Sequence, residues 1–183
     1  MSAPAPAILR LNRNPAVRVP TLRGTPIRVV LEAQLTASRG RLLSGSPQFG
    51  HPVHAASFIR QRKIVIETQL LGQPELFRFI LLHEIFHFVW ARLGNGKRAA
   101  WTRIIERERE VEAKGELGES ASIKKSLRPQ PGTRLWRDYV CESFCDSAAH
   151  FYSGPVHPCK LEHHWKAIRR CWFLTAFASG ARC

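Results

Sequence analysis

The chain has 183 residues, of which 44% are hydrophobic and 23% charged, and its formal net charge is +14. That length suits one domain with a substantial core, and no stretch reaches the ~18–20 apolar residues that a membrane helix needs. The charge is spread along the chain, mostly as Arg, without zinc-finger spacing, an aromatic RNA-binding signature or a basic heptad arm, so it reads as a solvated basic surface rather than a nucleic-acid motif. Five cysteines, Cys141, Cys145, Cys159, Cys171 and Cys183, are an odd set that fits reduced thiols in a cytoplasmic protein.

Residues 1–24 lack the continuous apolar core of a secretory signal and read as a disordered Pro- and Ala-rich leader, with residues 25–183 forming the domain. Pro26 to Leu35 carries a β-branched run that fits a strand or a short helix. Gly40 to Pro52, punctuated by Gly, Ser and Pro, reads as a loop. Next, Ala56 to Ile59 and Ile64 to Glu67 form a predicted hairpin about a polar turn at Gln61-Arg62-Lys63. Gly72-Gln73-Pro74 ends it and opens a helix, because Pro is tolerated at the first helical position.

From Phe79 to Trp90 that helix is apolar except for His83, Glu84 and His87. It must be buried on nearly all faces, and buried imidazoles and carboxylates need partners. His83-Glu84-Ile85-Phe86-His87 is an HExxH motif. Its i,i+4 spacing puts both rings on one helix face, where they can share one Zn2+, and Glu84 stands beside the metal as the general base for a zinc-activated water.

Gly94-Asn95-Gly96 is read as the end of this helix. Arg98 to Ala113 follows as a half-exposed helix packing through Trp101, Ile104, Ile105 and Val111. Lys114 to Gly118 is a turn, Ser120 to Leu127 a short helix, and Arg128 to Thr133 a loop. Arg134 to Gly154 has helical periodicity, with Thr133 placed to cap it. Its Glu142, Asp146 and His150 fall at i, i+4 and i+8, a polar stripe along one side. Two histidines are half of a zinc shell, so a third ligand is required. Glu142 is the choice, with Asp146 orienting the far nitrogen of His83; a thiolate from Cys145, nearly on the same face, is the rival ligand. His150 is read as a surface or hydrogen-bonded residue. The final segment, Cys159 to Phe177, sets Trp165, Ile168, Trp172 and Phe173 at helical spacing and is read as packing on the Glu142 helix. Strands before helices make an α+β domain.

HExxH on one helix and Glu142-Ser143-Phe144-Cys145-Asp146 on a later one resemble the gluzincin metallopeptidases. In outline the chain is similar to their compact bacterial members, the minigluzincins, and to ImmA/IrrE-type peptidases, over roughly Ile59 to Tyr152. It departs from the thermolysin pattern in the 54 residues between His87 and Glu142. A metzincin pattern is excluded, because Leu93 stands where a third His is needed. The resemblance implies a zinc-dependent peptidase acting on a protein or peptide, with strand Ile64–Thr68 as the edge on which substrate pairs. It also implies an oxyanion donor, for which Tyr139, His157, His163 and His164 stay open. The alternative is a non-catalytic, zinc-containing regulatory module whose basic surface binds an acidic partner.

Overall fold

The structure, a computed structural model, describes residues 19–38, 41–45, 50–154, 156 and 160–177; His157, Cys159, Cys183 and the leader up to residue 18 lie outside these. The fold is α+β, with strands β1 (Arg28–Glu32), β2 (Thr36–Ser38), β3 (Arg41–Leu43), β4 (His51–Pro52), β5 (Ala55–Phe58) and β6 (Lys63–Glu67). Helices α1 (Pro74–Arg92), α2 (Asn95–Glu110), α3 (Glu119–Ser126), α4 (Arg134–Ser153) and α5 (His163–Phe177) follow.

Three strands form the sheet that supports the site, in the order β1-β6-β5. Pro26 to Leu35 thus contributes a strand, parallel to β6 with Val30 opposite Val65. β6 is flanked on both sides, which corrects its assignment as an edge: Ile64, Val65 and Ile66 are all buried, the continuous apolar run of an interior strand. Among the described residues, the unpaired edge near the site belongs instead to β5. The hairpin turn is a 3-10 turn at Ile59–Gln61 closed by Arg62 in the left-handed region. The expected loop from Gly40 to Pro52 contains two short strands, β3 and β4, which pair with β2 in a second small sheet.

α1 lies between the sheet and the other helices, which explains why it is apolar all round. Phe77, Leu81 and Phe88 pack toward Ile64, Ile66 and Leu70 of the sheet side. Phe79, Leu82, Phe86 and Val89 join Trp101 of α2, Phe144 and Ala148 of α4, and Phe173 and Phe177 of α5. A stacked pair, Phe144 and Phe173 with ring centroids 5.2 Å apart, ties α5 to α4. Burying a Phe contributes about 1.5–3 kcal/mol, so this aromatic cluster is a main source of the fold's stability.

Helix boundaries shift modestly from the expected ones. α1 stops at Arg92, with Leu93 as its extended C-cap, and Asn95 and Gly96 already belong to α2, so the glycines mark a corner between two helices rather than a long break. α2 ends at Glu110, which leaves Val111 63% exposed rather than packed. Thr133 does cap α4, its Oγ1 accepting from the Trp136 amide at 3.1 Å.

Candidate metal centre

His83, Glu84 and His87 come from the middle of α1, and Glu142 and Asp146 from the facing side of α4. Nε2 of His83 lies 3.1 Å from Nε2 of His87 and 3.2 Å from Oε2 of Glu142, and His87 Nε2 stands 3.8 Å from the same oxygen. These edges bracket the roughly 3.3–3.4 Å expected between donors of a tetrahedral shell with ~2.0–2.1 Å bonds. The chemistry of the donors agrees. Nδ1 of His83 is 2.7 Å from Oδ1 of Asp146, so the neutral ring donates there and turns a lone pair toward the carboxylate of Glu142. Two acceptors face to face require a proton or a cation between them. The three side chains therefore fit a zinc ion.

Without metal, the proton takes that place. Burial would depress the His83 pKa, yet the hydrogen bonds to Asp146 and Glu142 outweigh it and hold it well above the ordinary value. His87 is also raised, burial being overcome by its contact with Cys141. For Glu142, burial pushes up but the bond from His83 prevails, and its pKa is lowered.

Glu84 is buried, and its carboxylate lies close to both His rings. Its Oε2 is 2.5 Å from the hydroxyl of Ser57 on β5. Ser57 pairs with Ile64 across the ladder. Opposed residues share a face, and Ile64 packs under α1, so Ser57 is turned toward Glu84. Asp146 is pinned as well: its Oδ2 accepts from the Ala121 amide at the start of α3, at 2.8 Å. A Cβ at Gly118 would collide with this carboxylate, so only glycine lets the segment before α3 press so close.

A cavity of about 290 Å³ opens on the cluster, lined by Ala55, Ala56 and Ser57 of β5 with His83, Glu84, His87 and Glu142. A neighbouring one of about 340 Å³ adds the apolar side chains of Val53, Leu76, Phe79, Ile80 and Ile123. Cys145 is fully buried. Nδ1 of His87 faces Cys141 at 3.5 Å, so the thiols stand on the side of this ring away from His83. Burial pushes the Cys145 thiol up, whereas the hydrogen bond it shares with Cys145 pulls Cys141 down.

Of the candidate oxyanion donors, the three among the described residues lie away from the cluster. Tyr139 is buried, its hydroxyl donating to Glu116 at 2.5 Å, and it is absent from the cavity lining; burial, with Glu116 adding, raises its pKa beyond the ordinary range. His163 and His164 are exposed at the start of α5. His150 is buried rather than on the surface. Ser57, Gly118 and the Ala121 amide escaped the sequence reading, since only tertiary pairing brings them to Glu84 and Asp146. No family model, curated protein or solved structure matches this chain.

Proposed function

We propose that the chain is a zinc-dependent peptidase of the gluzincin kind, with His83, His87 and Glu142 holding the metal. The observation that carries this reading is the convergence of three ligand atoms from two helices beside a second carboxylate, Glu84, that is close to both rings and held by the hydroxyl of Ser57. A structural zinc shell has no use for that fourth group. When bound, zinc supplies Lewis acidity, polarising a carbonyl and making water more acidic.

The chain's own groups account for the rest. Glu84 takes the proton of the attacking water at its carboxylate and returns it to the leaving amine. Ser57, donating to Oε2, restricts the rotation of that carboxylate and leaves its other oxygen for the proton. Asp146 fixes the tautomer of His83 so that Nε2 remains a donor to metal. An extended substrate pairs with the free edge of β5 by main-chain hydrogen bonds, and the apolar cavity beside it receives one hydrophobic side chain.

Purified protein is expected to hold one equivalent of zinc and to cleave an unfolded protein in a chelator-sensitive way, while Glu142→Ala, left with two His ligands, loses most of its zinc. Wild-type zinc content in Glu142→Ala would remove that residue from the shell. Full zinc occupancy without cleavage of any unfolded substrate would favour the non-catalytic module.

A further inference from the structure

The side of His87 away from the zinc ligands has an unusual neighbour. A metal-bound imidazole ordinarily donates its far N–H to a carboxylate, a carbonyl or water; His83 follows that pattern with Asp146. His87 instead turns Nδ1 to Sγ of Cys141 at 3.5 Å. Cys145, one helical turn further along α4, lies on the same face, and the ligand atoms of His87, Cys141 and Cys145 all fall within 4.8 Å of one another. With metal–sulfur bonds of ~2.3 Å and metal–nitrogen bonds of ~2.0–2.1 Å, a tetrahedral ion separates S from N by about 3.6 Å. The observed spacing is already that of two ligands. Cys145 is sealed in the core and Cys141 half-buried, so an ion would enter from the Cys141 side and leave little of its shell to water.

We propose that His87 Nδ1, Cys141 and Cys145 form a second metal site, selective for a thiophilic d10 cation such as Cu(I) or Cd2+. Two thiolates and one imidazole are a softer donor set than the two imidazoles and carboxylate of His83, His87 and Glu142; zinc accepts either set, whereas Cu(I) and Cd2+ favour the thiolates more strongly. Binding releases the two thiol protons and the Nδ1 proton, and no electron is transferred. Because one ring serves both sites, filling the thiolate site with zinc in place would make His87 an imidazolate, so the two ions oppose each other. The thiolate site itself stands whether or not the chain hydrolyses peptides; only this opposition rests on the zinc reading.

The test is titration of the reduced, metal-free full-length chain with Cd2+ alone, followed by thiolate-to-cadmium charge-transfer absorption in the ultraviolet. Wild type should show a saturable band of two-thiolate intensity. Cys141→Ser should lose at least half of it, and the Cys141→Ser/Cys145→Ala pair all of it. Both variants keep Cys159, Cys171 and Cys183, so they control for adventitious thiolate binding, and far-ultraviolet circular dichroism with a cooperative thermal transition reports that they are folded. Zinc-loaded wild type should bind Cd2+ through thiolate more weakly than the metal-free chain. An absent band in wild type, or a band that persists in the paired variant, overturns the site. Equal thiolate affinity with and without zinc overturns the opposition.

Discussion

His83 is held at both ring nitrogens, and the group that holds it is itself held: Asp146 takes Nδ1 with one oxygen and the Ala121 amide with the other. This chain of contacts predicts that Asp146→Asn weakens zinc binding by about 10–100-fold with the fold intact. Gly118→Ala, which drives a methyl into the same carboxylate, should act in the same direction; a competitive chelator titration measures both, and unchanged affinity in both would detach Asp146 from the metal. His150 makes a different kind of prediction. Burial, with Lys166 adding, lowers its pKa to about 4, below the ~6.5 of an unfolded histidine. The unfolded chain therefore binds this proton first, so the stability that neutral His150 contributes is complete above pH ~6.5 and declines as pH falls toward about 4. The raised His83 and His87 have the opposite sign in metal-free protein but are shared by a His150→Leu variant. The difference in melting temperature between the two proteins should thus shift in favour of the variant between pH 7 and 4.5, and a difference independent of pH contradicts the assignment.

Among elements, α5 is fastened to the rest by charge as well as by aromatic rings. Arg169 is fully buried and donates to Glu108 of α2 and to Glu116, with 2.8 Å contacts to each, and to Ser147 of α4 at 3.2 Å. Tyr139 and Lys125 also reach Glu116. The residues from Glu116 to Gly118 are thereby clamped just where Gly118 abuts Asp146. Arg169→Met removes the fully buried cation between the two glutamates, leaving Glu108 without its ion-pair partner and Glu116 with only Tyr139 and Lys125, a loss of about 3–5 kcal/mol, or roughly 6–20 °C in Tm for a chain of this size. Thermal unfolding checks it, and a shift under a few degrees would show that water already reaches the cluster. The α1 motif and the Glu142-Asp146 spacing were legible because each lies within one helix, where i,i+4 fixes the face. Arg169 was not: in sequence it is one more base in a basic segment, and its partners lie 61 and 53 residues away. β6 was misread as an edge for the same reason, since its parallel partner β1 comes before the whole of β2 to β5. Ser57 depended on that ladder to be aimed at Glu84.

Over the whole molecule, the sheet, α1 and the α4 layer stack so that the apolar middle of α1, from Phe79 to Trp90, carries its three polar residues where both layers border a cavity. No helix of the described residues is long and apolar enough to cross a membrane, and α1, the most hydrophobic one, is covered by protein on both sides. Under the proposed function these polar residues have separate tasks, His83 and His87 to bind zinc and Glu84 to move a proton. Glu84→Gln tests that division most directly. It keeps the side chain's shape and its contact with Ser57 but cannot accept a proton, so zinc content should stay near one equivalent while hydrolysis of an unfolded protein falls by at least ~10²–10⁴-fold. Cleavage at the wild-type rate by zinc-loaded Glu84→Gln would contradict the mechanism.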